Sequence, residues 1–374
     1  MRGGELVLEN FCKLFPNADV FTLFYEPGKV SKTISSHRVF PSSLNRNPLF
    51  RKSYNNLLFL FPYVTEQFDL REYDCVLSSD TISMKGVITS PDTCHICYCH
   101  TPPRYVWDMY LPYIENSGFG RVKKLLAKIL LHNYRAWDSI ASSRVDYFVA
   151  NSNFVARRIA KFYRRHSAVI NPPARIDQFS LGSKGRFYLA LGQLVPYKRI
   201  DILVDAFRLM PDKELVIAGT GPTEKTLKAQ ASGNIKFVGK VSESEKENLY
   251  KNCKAFLFPG VEDYGITPIE AQACGKPVIA YARGGVLDTV TGYLPSTDKK
   301  FDTDTHTGLF FEKQDAKSVV EAIVAFEKDI APSYSPEKIR LHASKFSEQR
   351  FQEEVRGFVE RCINEFAEFG PPTR

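Results

Sequence analysis

Short apolar runs recur through the second half of the chain at a spacing that leaves one fold class open. They are Phe187–Leu191, Glu214–Ala218, Ile235–Val238, Ala255–Phe258, Pro277–Ala280 and Gly308–Phe311. Helical patterns separate them, such as Ile200, Leu203, Val204 and Phe207 on one face, and a start at Ser242 with Glu245 spaced as a capping box. Strands that alternate with helices build βαβ units, and so a parallel sheet covered on both faces. The first half is more mixed, with predicted strands at Ala18–Phe24, Cys75–Ser78, Thr93–Cys99 and Tyr147–Ala150. Its first helix carries Val7, Phe11 and Leu14 as a core-facing stripe.

The run NPPARIDQFSLGSKG, from Asn171 to Gly185, breaks every periodicity and reads as a linker. The expected organisation is an N-terminal Rossmann-like domain over 1–175 and a second one over 176–345. A C-terminal helix over 346–374 then packs back on the first domain, with Phe346, Phe351 and Val355 on one face. Two doubly wound domains place a ligand crevice between the carboxyl ends of two sheets.

Composition narrows the partners. A net charge of +8 favours an anionic one: phosphate, nucleic acid or an acidic membrane face. The longest apolar run, Leu57–Phe61, is stopped by Pro62 and is far too short to span a bilayer. No secretory signal pattern is found, and eight scattered cysteines suit reduced thiols in a cytoplasm. The cluster Cys94, His95, Cys97, Cys99 and His100 raises the possibility of zinc, but a strand sends these side chains to opposite faces and no second ligand pair lies nearby. The Asp302-Thr303-Asp304 triplet sits in a polar loop, so no metal or other cofactor is expected.

The stretch FPGVEDYGITPIEAQACGKPVIA is the most informative. A strand ends at Phe258, a loop passes Gly260 and Gly265, and Thr267-Pro268 is predicted to cap and open a helix. Free N–H groups and the positive dipole end at such a start form a site for a diphosphate. Glu262 and Glu270, eight positions apart, can grip two sugars of one ligand. Glu270 equally fits a capping box with Thr267. Gly3-Gly4, at the other end of the chain, have the character of a phosphate-facing loop before a helix.

Glu262-x7-Glu270 with Gly265, Pro268 and the following GKPVIA resembles the signature of retaining glycosyltransferases of family 4, the group 1 enzymes of GT-B fold. ALGQLVPYKRIDILVDAF, LVIAGTGP, IKFVGKVS, VANSNFVARRI and CHTPPRYVWD extend the resemblance over nearly the whole chain. The last is similar to a mannosyltransferase-like subgroup of surface polysaccharide biosynthesis. The resemblance implies a hexosyltransferase using a nucleotide sugar, GDP-mannose, with a lipid-linked saccharide as acceptor and no nucleic acid. It implies a cytoplasmic protein that contacts the inner face of the cell membrane peripherally.

The resemblance also distributes roles. Glu270 would hold the ribose hydroxyls and Glu262 the donor-sugar hydroxyls, near the amides of Tyr264, Gly265, Ile266 and Thr267. Lys198, helped by Arg199, would neutralise the departing diphosphate. Gly3, Gly4, Gly219 and Gly221 would lie beside the donor, with Val238-Gly239 beside the base. His100 would contact the donor sugar, and Arg104 and Asp108 the acceptor or their own loop. Gln193 stands where many members carry arginine.

The GRVKKLLAKILLHNYRAWDSI segment mixes Arg121, Lys123, Lys124 and Lys128 with Leu125, Leu126, Ile129 and Leu130. It fits either a basic amphipathic helix on an anionic bilayer or a buried helix with a solvated edge. Arg157, Arg158, Lys161, Arg164 and Arg165 form a second basic group. Members of the family begin with a strand that precedes Gly-Gly, which the sequence from Met1-Arg2-Gly3-Gly4 lacks. Several buried aliphatics at about 1.5–3 kcal/mol each rival a domain's stability of about 5–15 kcal/mol, so the functional protein is expected to start upstream of Met1. A sugar-nucleotide epimerase of the same fold and a non-catalytic nucleotide-sugar-binding protein are the alternatives.

Overall fold

The computed structural model describes residues 3–52, 54–115, 117–298 and 300–372. Met1 and Arg2, on which the expectation of an upstream start falls, lie outside the described residues. The chain divides into two units, Met1–Pro172 with Phe351–Arg374, and Pro173–Arg350.

The second unit holds seven parallel strands: β7 (Phe187–Leu191), β8 (Leu215–Ala218), β9 (Ile235–Gly239), β10 (Cys253–Phe258), β11 (Val278–Tyr281), β12 (Gly292–Tyr293) and β13 (Gly308–Phe311). Their order across the sheet is β12-β13-β11-β10-β7-β8-β9. Side chains alternate between two cores. Tyr188, Ala190, Leu215, Ile217, Leu257, Ile279 and Leu309 face one, while Leu189, Val216, Phe256, Val278, Ala280 and Phe310 face the other. Both faces are covered, which is why these strands read as unbroken apolar runs. The chain leaves β7 toward β8 and β9, then returns to β10 on the other side of β7. Loops at the carboxyl ends of β7 and β10 therefore diverge, and open α/β sheets bind ligands at such a point.

The first unit carries β1 (Val20–Thr22) paired in parallel with β2 (Val39–Pro41), and a four-stranded parallel sheet. The latter runs β3 (Cys75–Asp80), β4 (Cys94–Cys99), β5 (Tyr147–Ala150) and β6 (Ser167–Val169) in that order. Among the described residues the two sheets are not hydrogen-bonded to each other. Cys94, Ile96 and Tyr98 pack with Val7, Phe11 and Leu14 of the Gly3–Leu14 helix and with Phe351, Val355, Val359 and Cys362 of the Glu348–Phe369 helix. Phe346 departs from the expected helical stripe. It precedes the helix and is buried in the second unit, its ring edge-on to Tyr264 at 6.5 Å.

Gly3 and Gly4 are the first residues of the helix and not a loop before it. The eight cysteines are free. Among the described residues no helix is long and apolar enough to cross a membrane.

Candidate active site

In the second unit the loops after β7 and β10 bring Lys198 and Glu262 together. Lys198 Nζ lies 2.9 Å from Glu262 Oε1, and both side chains are about one-fifth exposed or less. Their approach depends on absent side chains. A Cβ on Gly192, where φ is +150°, would lie 2.9 Å from Lys198 Nζ, and one on Gly260 would lie 2.9 Å from Lys198 Cα. The Glu262 carbonyl accepts from Gly285 N–H at 2.9 Å, fixing the loop from behind. Gly219 and Gly221 border the same bend, where a Cβ would come within 1.8 Å of the Gly192 carbonyl oxygen and 2.2 Å of that of Leu194.

The helix after β10 spans Ile266–Ala273. Its N-cap is Gly265, in the left-handed region at φ +96°, and no side chain caps it. Thr267 was expected to be the cap. It is the second helical residue, and Pro268 the third, which costs nothing because the first-turn N–H groups have no partner inside the helix. The helix thus begins with uncapped N–H groups four residues beyond Glu262.

Glu270 does not form the capping box that its spacing with Thr267 allows. Its carboxylate accepts from Lys246 Nζ at 2.9 Å and from Tyr250 Oη at 3.0 Å, both on the Glu243–Asn252 helix. Burial raises the Glu270 carboxyl above its ordinary range, and Lys246 and Tyr250 partly offset this. Burial alone would lower the Lys246 ammonium, but Glu270 and Glu243 hold it above its usual value. Glu270 is therefore a fixed acceptor near the helix start. Lys246 and Tyr250 were missed in the sequence. Their only signal is the spacing of four, which puts both on one helix face.

Arg199 sits at φ +54° with Nε 3.1 Å from both carboxylate oxygens of Asp201 and Nη1 3.2 Å from Gln314 Oε1. It is engaged in holding its own loop. Val238 is exposed at the end of β9, and Gly239 takes φ +72°. The capping box at Ser242 and Glu245 forms as expected.

His100, Gly4, Arg104 and Asp108 belong to the first unit. His100 follows β4, with Nε2 2.9 Å from Ser79 Oγ, its N–H donating to the Asp80 carbonyl and its carbonyl accepting from Asn151 Nδ2. A Cβ on Gly4 would lie 3.8 Å from His100 Nε2. Burial lowers the His100 imidazole to about 4, so it is neutral at pH 7 and offers one donor and one acceptor. Asp108 accepts from Arg158 Nη2 at 2.6 Å, and the same guanidinium donates to the Pro102 carbonyl at 2.9 Å and to Thr101 Oγ1. Asp108 thus orders the loop after His100. Arg104 lies over the Phe154 ring at 5.9 Å.

His95 is fully buried against Ser78 Oγ at 2.9 Å. Asp302 accepts within its own loop and Asp304 pairs with Lys338. Among the described residues no three His, Cys, Asp or Glu side chains are grouped to hold a metal ion.

Residues 174–342 match the family described as Glycosyl transferases group 1. The chain is 36% identical over 138 residues to the GDP-mannose-dependent monoacylated alpha-(1-6)-phosphatidylinositol monomannoside mannosyltransferase of Corynebacterium glutamicum, covering 33% of this chain and 36% of that protein. It is 32% identical over 187 residues to the D-rhamnosyltransferase WbpZ of Pseudomonas aeruginosa, covering 45% and 48%. The matched stretches therefore span less than half the length of these relatives. In fold the likeness is chain-wide. Anabaena HepE in complex with UDP and glucose aligns with a TM-score of 0.63 at 15% identity over 96% of both chains. Sucrose-phosphate synthase of Thermosynechococcus elongatus aligns at 0.64 and 16% over 92% of this chain and 89% of that one. Residues 174–342 thus match the group 1 glycosyl transferase family, and the fold of the chain is GT-B.

Proposed function

We propose that this protein is a retaining hexosyltransferase of glycosyltransferase family 4. It moves mannose from GDP-mannose to a lipid-linked saccharide or a growing surface polysaccharide, without a metal, from the cytoplasmic side of the membrane. The observation that carries this is the Lys198–Glu262 pair at the carboxyl ends of β7 and β10, next to an uncapped helix start.

With no donor bound, the two side chains neutralise each other. A diphosphate offers Lys198 a better partner, because two adjacent phosphates concentrate more charge than one carboxylate. Lys198 then turns to the phosphate and frees Glu262 to accept hydroxyls of the sugar. The N–H groups at Gly265, Ile266 and Thr267 add donors and the helix dipole to the same charge. When the sugar–phosphate bond breaks, the electron pair stays on the diphosphate, where Lys198 is most stabilising. Glu270, oriented by Lys246 and Tyr250, accepts the two ribose hydroxyls. The GDP-mannose dependence named for the Corynebacterium glutamicum relative supports a GDP-linked donor.

A thermal-shift panel of GDP-, UDP-, ADP- and dTDP-sugars tests the donor. At a hundredfold excess over Kd, GDP-mannose is expected to add about 2.7 kcal/mol, a rise of about 5–10 °C in Tm. A rise confined to UDP-sugars would overturn the donor assignment, and no rise with any of them would overturn donor binding altogether.

A further inference from the structure

Cys75 opens β3 and Cys94 opens β4, and the two parallel strands set these residues directly opposite each other. The Cys94 N–H fixes that register by donating to the Asp74 carbonyl at 2.9 Å. Opposed residues of neighbouring strands send their side chains to the same face, with backbones about 4.8 Å apart. Both thiols accordingly border one core, Cys94 buried within it and Cys75 packed against its edge. A spacing of about 4.8 Å falls inside the range of about 4.4–6.8 Å that a disulfide spans between Cα atoms.

All eight cysteines lie in the described residues. Seven are buried and Cys75 is partly exposed. Cys97 and Cys99 on β4, like Cys253 and Cys274 in the second unit, are closed to an oxidant dissolved in water. Cys75 is open to one and has a second thiol at its side. A hydrogen bond from the Cys94 thiol lowers the Cys75 thiol below its ordinary value, against burial and the charge of Asp74. The same bond, with burial, raises Cys94. The Cys362 carbonyl, 4.0 Å from Cys94 Sγ, is only a distant competitor for that one thiol proton. The pair therefore divides into an outer thiol that ionises readily and an inner one that keeps its proton, the arrangement an attacking and a resolving cysteine need.

We propose that Cys75 and Cys94 form a site of reversible oxidative modification, which a hydroperoxide converts to a disulfide. The Cys75 thiolate attacks one peroxide oxygen. The O–O bond breaks, Cys75 becomes a sulfenic acid and hydroxide leaves, to take up the proton that Cys75 lost. Cys94 Sγ then attacks Cys75 Sγ, the S–O bond breaks, and the hydroxyl departs as water with the Cys94 proton. Two thiols lose two electrons, and hydrogen peroxide ends as two waters. A dithiol reverses the step, as expected of the transient disulfides found in reducing compartments. The bond forms at the amino ends of β3 and β4, away from His100 beyond the carboxyl end of β4, and so depends on neither donor nor acceptor.

The test treats the reduced full-length chain with stoichiometric hydrogen peroxide and reads its intact mass and a peptide map made without reductant. The product is expected to have lost two hydrogens, to carry a cross-link between the Cys75 and Cys94 peptides, and to regain its starting mass with dithiothreitol. Cys94→Ala is expected to stop at the sulfenic acid, which dimedone captures at Cys75. Cys75→Ala is expected to give no cross-link and no capture at Cys94.

A wild-type chain that keeps its mass, or whose cross-link maps to other cysteines, would overturn the proposal. So would a Cys94→Ala chain that dimedone labels no more than Cys75→Ala. The wild-type map decides the matter even where a variant does not fold.

Discussion

Replacing Lys198 with methionine is expected to lower kcat by about 10²–10³-fold, the effect of removing one positioned charge partner from a bond-breaking step. Thermal shift with GDP, in contrast, should persist, because Glu270 and the amides at the helix start remain. Lys198 carries this weight because its neighbours do not. Gln193 supplies no charge, and Arg199 is held by Asp201 and Gln314. Arg199→Ala is accordingly expected to cost less than about tenfold. Glu262→Gln should resemble Lys198→Met in kcat, and the double variant should lose little beyond either single one, as groups acting as a unit are not additive. Steady-state kinetics of the four proteins checks this. An unchanged kcat in Lys198→Met would remove the residue from the chemistry.

The largest stability effect is expected in the first unit. Lys85 is fully buried between two fully buried carboxylates, with Nζ 3.2 Å from Asp80 and also bonded to Asp138. Asp138 further accepts from Trp107 Nε1 at 2.8 Å and Tyr163 Oη at 2.9 Å. Burial acts to lower the Lys85 ammonium, but Asp138 and Asp80 outweigh it and hold it well above its ordinary value. Lys85→Met would leave two carboxylates buried without a cation, and breaking a buried pair costs about 3–5 kcal/mol. Urea or thermal unfolding of this variant reads the loss directly. Adding Asp80→Asn and Asp138→Asn is expected to restore part of it, because the uncompensated charges are then gone. The sign in pH is fixed too. The raised Lys85 value means its contribution is complete below the unfolded-state value of about 10.4 and fades only as pH climbs through the higher folded one.

The strands of the second half were legible because both faces of that sheet are covered. Phe187–Leu191 and Gly308–Phe311 occur where the apolar runs put them. Strands β2, β6 and β12 escaped notice, being two or three residues long and each including a proline, a serine or a glycine. Glu262 and Glu270 stand out in the sequence through their spacing and the likeness of the surrounding glycine and proline pattern to a family signature. What holds them was not legible. Lys246, Tyr250 and the bonds that engage Arg199 are side-chain contacts made across 20 or more residues, or in a local turn with no periodic signal. The Asp80–Lys85–Asp138 centre, with partners 53 residues apart, is hidden for the same reason. The amphipathic helix shows the reverse difficulty. Its composition fitted a buried or a membrane-facing role, and the structure buries Leu131, Tyr134 and Ala141 while leaving Val122, Leu125 and Ile129 exposed.

The most direct test of the central claim is the anomeric form of the product made from GDP-mannose, read by NMR. A group at the Lys198–Glu262 site that transfers mannose with retention is expected to give an α-linked mannoside and one GDP per linkage, with GDP released only when acceptor is present. A β-linked product, or conversion of the donor to an epimer with no acceptor added, would contradict it.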